Sequence, residues 1–406
     1  MTSPHEAAAT GAVEWLLSKA IEAPGGGLGW PAAPGEQIED VLYAGTPGVL
    51  LTMLDAYAAT GDERFVDAAS RAGRHLAQSA PRQERAGFYV GVAGIGFALR
   101  ELSLVTDDAG DRANADAALD LVRDRALRHD GRARWGPITD IIVGDAGIGL
   151  WLLAEGDLEL ATAAGRMLVD GARPADEGRK WAMAPDYPRL MPNFSHGTAG
   201  IAYFLASLAQ AGAGDEFLES ARAGAAYLTS VARIDGGGFR VFHYEPGGED
   251  AFPLGWCHGP TGTARLFERL RQVTGECEWE QTRDACARTV RTSGIPERKE
   301  PGFWDNVAAC CGSTGVARFF LDLHRVTGDA DHLAFAVTMS DDIVERATVD
   351  DAGTRWSNIE HRLPEPVLPP QCGALQGAAG IASWLFELDA FLSGDDRRRV
   401  WPDSPF

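Results

Sequence analysis

A chain of 406 residues with a formal net charge of −21 is long enough to bury a large core without disulfide staples. So acidic a surface excludes a nucleic-acid partner, which needs clustered Lys and Arg; it is compatible with a cationic peptide and also serves solubility. No apolar run approaches the ~20 residues of a membrane span, residues Met1–Ala9 carry no basic leader, and the six cysteines include an adjacent pair, so the expectation is a cytoplasmic protein with thiol or metal chemistry.

In chain order the first element is an amphipathic helix over His5–Ile21. Seven G-x-x-G tetrapeptides then recur, at Gly45–Gly48, Gly91–Gly94, Gly144–Gly147, Gly197–Gly200, Gly259–Gly262, Gly312–Gly315 and Gly377–Gly380, their first glycines 46 to 65 residues apart. Each is followed by apolar residues at helical spacing, such as Val49, Leu50, Met53 and Leu54, or Ile201, Phe204, Leu205 and Leu208. Most of these helices stop at a glycine followed by an acid, as in Gly61-Asp62 and Gly328-Asp329, which ends one helix and starts the next. A half-polar helix follows, for instance Arg64–Gln78 or Glu216–Arg233. The seventh apolar helix, Ile381–Leu392, is followed only by Gly394–Phe406, too short for a full outer helix.

A period near fifty residues signals a repeat array. Each repeat pairs one apolar helix, which must be buried, with one half-polar helix. The unpaired N-terminal helix supplies the missing partner of the seventh apolar helix, and a closed ring leaves no apolar end to cap. The fold expected is all-α: an α/α toroid of seven inner and seven outer helices, one domain over residues 1–406. Every G-x-x-G then sits at an inner-helix N-terminus on one rim, where partial positive charge favours anions such as thiolates.

Residues at the same offset from a repeat's first glycine occupy equivalent points of that rim. Cys257 and Cys310 stand two before theirs, Cys311 and His196 one before, and Asp140 four before Gly144. Three thiolates with a fourth position open suit Zn2+. Cys277, Cys286 and Cys372 read instead as small packing residues. Asp140 also suits a helix cap, and His258, next to Cys257, is a candidate catalytic residue that also suits a loop brace.

The runs Ser195-His196-Gly197, Trp256-Cys257-His258-Gly259 and Cys310-Cys311-Gly312 resemble the lanthionine synthetase C-like (LanC-like) cyclases, and the likeness spans nearly the whole chain with its seven G-x-x-G repeats. It implies an α/α toroid with rim zinc, joining a cysteine thiol of a ribosomal peptide to dehydroalanine or dehydrobutyrine as a (methyl)lanthionine thioether. Carried over, Cys257 and Cys310 match the two family zinc cysteines. Cys311 stands where many members have histidine and a subgroup has cysteine. His196 matches the acid/base histidine and Asp140 the aspartate that orients it. An arginine that some members carry four residues before the first zinc cysteine is Pro253 here. The implied partner is a dehydrated precursor peptide, with kinase/lyase or dehydratase proteins acting separately, since no such domain is fused. Alternatives are addition of a small thiol such as glutathione, or a peptide-binding subunit with structural zinc. A carbohydrate-active toroid needs paired carboxylates, for which Asp140 and Asp145 are the rim candidates.

Overall fold

The computed structural model describes residues 2–298, 303–359 and 363–406. Fourteen α-helices form among the described residues. The inner set is α2 (Thr46–Thr60), α4 (Val92–Thr106), α6 (Asp145–Ala154), α8 (Thr198–Gln210), α10 (Pro260–Thr274), α12 (Ser313–Thr327) and α14 (Ala378–Leu392). Between them run α3 (Glu63–Ser79), α5 (Ala109–Asp124), α7 (Leu158–Asp170), α9 (Asp215–Val231), α11 (Cys277–Arg291) and α13 (Ala330–Glu345), with α1 (Pro4–Ser18) preceding all.

The first glycine of every G-x-x-G is the N-cap of its inner helix, so the motif lies inside the first turn rather than ahead of it. Crowding explains the glycines. A Cβ on Gly197 would lie 1.6 Å from the Met191 carbonyl oxygen, and one on Gly200 2.0 Å from that of Phe194. The loop folds back over the helix start so tightly that no side chain fits at either place.

The helix stops follow the sequence reading where Gly61 closes α2 in the left-handed conformation (φ 70°) and Asp62 caps α3 by accepting from the Arg64 amide. At the N-terminus the expected helix over His5–Ile21 is shorter. It ends at Ser18, and Ile21 pairs with Gly29 in a hairpin instead.

The chain divides into two compact units. One comprises residues 1–85, 90–121 and 295–399, in which α14 packs against α1, α2 and α12, and α2 against α4. Here α1 partners the seventh inner helix, as the unpaired termini required. The other unit comprises residues 86–89, 122–294 and 400–406, in which α8 packs against α6, α9 and α10. The inner helix α8 is apolar on nearly every face and buries Ile201, Ala202, Tyr203, Phe204 and Leu205 completely. By contrast, α10 and α12 depart from the expected apolar pattern with charged residues such as Arg265, Glu268 and Asp322 that are buried in ion pairs.

Four two-stranded antiparallel hairpins follow outer helices α1, α5, α7 and α13: β1–β2 (Ile21–Ala23, Gly27–Gly29), β3–β4 (Leu127–His129, Arg132–Arg134), β5–β6 (Arg173–Pro174, Arg179–Lys180) and β7–β8 (Thr348–Asp350, Gly353–Arg355). Each leads to a tryptophan whose indole N–H donates to the carbonyl two residues before its outer helix ends. Trp30 reaches Leu16 at 2.7 Å, Trp135 Val122 at 2.7 Å, Trp181 Leu168 at 2.7 Å and Trp356 Ile343 at 2.8 Å. A carbonyl otherwise left open at a helix C-terminus is thereby satisfied out of water. The backbone N–H groups of Trp30, Trp135 and Trp181 then donate to Thr46, Asp145 and Thr198, the first residues of α2, α6 and α8. Three of these hairpins thus tie the end of an outer helix to the start of the next inner one.

Candidate functional site

Within each unit the loops entering the inner helices are hydrogen-bonded to one another through residues two, and at Ile141 three, before the first glycine. In the first unit the Cys310 amide donates to the Leu375 carbonyl at 2.8 Å, and the Leu375 amide to that of Tyr43 at 3.0 Å. In the second, the Tyr89 amide donates to Ile142 at 3.0 Å, the Ile141 amide to Ser195 at 3.3 Å and the Ser195 amide to Cys257 at 3.0 Å. Buried amides leave few other partners, so the register between loops is specified. Equal offsets in sequence therefore become neighbouring positions in space.

Cys310 and Cys311 begin this arc in the first unit, their sulfurs 3.4 Å apart, with Cys310 buried and Cys311 half-buried. Behind them Gln376 donates through Nε2 to the Tyr43 hydroxyl at 2.8 Å and approaches Cys311 Sγ at 3.9 Å. Burial first, then the Cys310 and Cys311 thiols, push the Tyr43 phenol well above its ordinary range, so it stays a neutral hydroxyl. Tyr43 and Gln376 were missed by sequence reasoning. Their signal was present, since Tyr43 stands two before Gly45 and Gln376 one before Gly377.

In the second unit His196 Nδ1 lies 2.6 Å from Asp140 Oδ2. Asp140 is 1% exposed, and its Oδ1 accepts from the Val143 and Gly144 amides at 2.8 and 3.0 Å. One carboxylate thus both closes its own loop and contacts the imidazole. His196 keeps part of its ring in solvent, with 30% of the side chain exposed.

His258 follows Cys257 and lies against two other imidazoles, with ring centroids 5.7 Å from His196 and 4.3 Å from His243. Burial, then the charges of His243 and His196, hold it down to about 3, so it is a neutral imidazole at neutral pH. Its Nδ1 is buried with no hydrogen-bond partner among the described residues. His243 sits at no repeat offset, in the loop between α9 and α10, and sequence reasoning had no signal for it.

Cys257 is buried in the second unit, as Cys310 is in the first, and Cys311 beside Cys310 is half-buried. Cys286 is fully buried and its thiol is pushed up beyond the ordinary range by burial, while Cys372 is also fully buried and pushed up to about 12. Both have the environment of packing residues, but Cys277 is exposed.

Of the two rim carboxylates that sugar chemistry would need, Asp140 is engaged by His196 and two amides. Asp145, 3% exposed, accepts the Trp135 amide at 2.9 Å. Burial raises Asp145 to about 7 despite that bond.

Among solved structures the chain is similar to nisin cyclase, with a TM-score of 0.62 and 14% identity over 86% of this chain and 89% of that one. It is also similar to an unsaturated glucuronyl hydrolase from Bacillus sp. GL1, with a TM-score of 0.51 and 16% identity over 98% of each chain. At such identities the likeness establishes the fold, an α/α toroid. The model of one family, described as lanthionine synthetase C-like protein, matches residues 36–405. With its seven glycine-capped inner helices, this chain belongs to the lanthionine synthetase C-like family.

Proposed function

We propose that this protein is a zinc-dependent cyclase that adds a cysteine thiol of a dehydrated ribosomal peptide to dehydroalanine or dehydrobutyrine, forming a (methyl)lanthionine thioether. The pair of Cys310 and Cys311 sulfurs 3.4 Å apart, with Cys310 at the rim offset that Cys257 shares, carries the reading. Sulfurs on a tetrahedral ion with bonds of about 2.3 Å lie about 3.8 Å apart, a separation compatible with the 3.4 Å between Cys310 and Cys311. Cys257, Cys310 and Cys311 are the residues that would hold the ion. When bound, it supplies the Lewis acidity that keeps the substrate thiol as thiolate at neutral pH, where a free thiol is mostly protonated.

The chain's own residues perform the rest. A third cysteinate in place of an imidazole leaves the site more electron-rich, which favours sulfur attack on the β-carbon. As the carbon–sulfur bond forms, the π electrons of the dehydroamino acid move to an enolate. His196 as imidazolium delivers a proton to the α-carbon, and Asp140 holds the ring for that transfer. The net change is addition of S–H across the double bond. His258 enters as a neutral imidazole that packs beside His196. Asp140, held by His196 and two amides, and Asp145, held by the Trp135 amide, are both engaged, which disfavours a glycosidase pair.

The test mixes purified protein with a dehydrated, cysteine-containing precursor and counts free thiols by mass spectrometry over time. Progressive thiol loss without a mass change is expected. If thiols disappear only when glutathione is supplied, with the mass of the tripeptide added, the substrate is a small thiol. No loss in either arm overturns both.

A further inference from the structure

We infer that Asp403 is a positioning residue for Cys257, acting through the side chains that clamp Trp256. Asp403 lies in the segment 400–406, which packs against α8 and α10 of the second unit. Tyr203 Oη approaches the Pro402 carbonyl at 3.5 Å, and Gln272 Nε2 donates to that of Pro405 at 2.6 Å. Trp401 stacks on Tyr89 with centroids 6.5 Å apart and planes 11° from parallel.

Asp403 is 1% exposed, and its side chain meets a guanidinium and a phenol. Arg265 Nη1 donates to Asp403 Oδ2 at 3.1 Å and to its carbonyl at 2.8 Å, and the Tyr89 hydroxyl donates to Oδ2 at 3.1 Å. Both partners reach Trp256. Arg265 lies 5.9 Å from its ring centroid and 5.5 Å from that of Phe194, while the Tyr89 and Phe194 rings meet Trp256 edge-on at 5.5 and 5.8 Å.

Trp256 directly precedes Cys257, and the Cys257 carbonyl is held by the Ser195 amide. The Cys257 backbone is therefore fixed on one side by a hydrogen bond and on the other by an aromatic clamp. The geometry of that clamp depends on Asp403. A buried guanidinium whose carboxylate is removed is driven toward water or another acceptor, and leaves the ring faces it covered. Asp403 touches no reacting atom and acts only through Arg265, Tyr89 and Trp256.

The inference rests on the proposed zinc site for its consequence in metal binding, and the placement of Cys257 holds with or without metal. The full-length protein, Asp403→Ala and Asp403→Asn are compared in two measurements. In metal-free protein, labelling of each cysteine by iodoacetamide is followed by peptide mass spectrometry. Cys257 is expected to label several-fold faster in Asp403→Ala, with Cys310 unchanged. Asp403→Asn, which still accepts from Tyr89 and Arg265, should stay near wild type. In the second measurement zinc affinity is read by chelator competition, and Asp403→Ala should weaken it about 10–100-fold.

Equal acceleration at Cys257 and Cys310 would mean general loosening, and unchanged Cys257 labelling would mean no coupling; either overturns the inference. Should Asp403→Ala not fold, Tyr89→Phe removes one bond to Asp403 without stranding a charge. It should speed Cys257 labelling in the same direction, and no change there overturns the inference too. A wild-type protein without zinc affinity would defeat the zinc site and leave the labelling result to decide this one.

Discussion

Asp140 holds His196 through a 2.6 Å contact between Oδ2 and Nδ1, while its other oxygen closes the loop that starts α6. One buried carboxylate thus ties the orientation of an imidazole in one repeat to the backbone of the preceding one. His196→Asn should leave fold and zinc content unchanged and slow ring closure by about 10²–10⁴-fold, the usual loss of a proton donor. Asp140→Asn should give a loss on the order of 10²-fold or more, since an amide does not favour the same tautomer or the charged ring. Thioether formation timed by mass spectrometry checks both, and wild-type rates in His196→Asn would remove its acid role.

The protein should bind about one zinc per chain through its three thiolates. Cys257→Ala should lose it while the helical circular-dichroism signal persists, because fourteen helices supply the burial. Cys311→His should retain metal, with a bond about 0.2–0.3 Å shorter than sulfur's, and be slower in cyclisation. Cys311→Ala should bind weakly. Elemental analysis decides these outcomes, and undiminished zinc in Cys311→Ala would remove that residue from the ligand set.

Asp145 makes stability depend on pH. Its carboxyl titrates near 7 in the folded protein against an ordinary 3.8, because burial disfavours the charged form. Its contribution is fully present below pH 3.8 and is lost as pH rises through 7. Each unit of such a shift is worth about 1.4 kcal/mol, so the change is on the order of a few kcal/mol. Thr46 and Thr198 do the same backbone duty at the equivalent places without a charge. Asp145→Thr should therefore flatten urea-unfolding stability between pH 4 and 7, and an unaltered pH profile would refute the assignment.

Gly200→Ala should destabilise by about 3 kcal/mol or more, since its Cβ would meet the Phe194 carbonyl oxygen at 2.0 Å with only backbone to move. Gly136→Ala, where a Cβ meets nothing within 4 Å, should stay within about 0.5 kcal/mol of wild type. Chemical denaturation of the two variants measures the contrast, and similar midpoints would refute the crowding account.

The repeat was legible because its physics is local. A glycine is needed where the loop returns over its helix, a left-handed glycine and an acid where one helix hands over to the next, and an apolar stretch where the helix is buried on all sides. Those requirements recur in the sequence and led to the inner helices, to α1 as the partner of α14, and to a toroid.

The rim offsets singled out Cys257, Cys310, Cys311, His196 and Asp140 as candidates, and within each unit the loops that carry them bond to one another near that register. The same offsets also hold Tyr43 and Gln376, which drew no notice because neither residue type announces chemistry by itself.

What only the tertiary structure decided lies outside that register. Short hairpins have too few residues for a periodic signal, so the tryptophans that close four outer helices were invisible until their carbonyl partners were in place. His243 comes from an irregular loop, and Asp403 from a segment with no repeat equivalent. Their surroundings are set by contacts between residues far apart in the chain, 138 positions for Asp403 and Arg265. Such pairings leave no local pattern, because their energy comes from burial and charge compensation that exist only once the chain has folded.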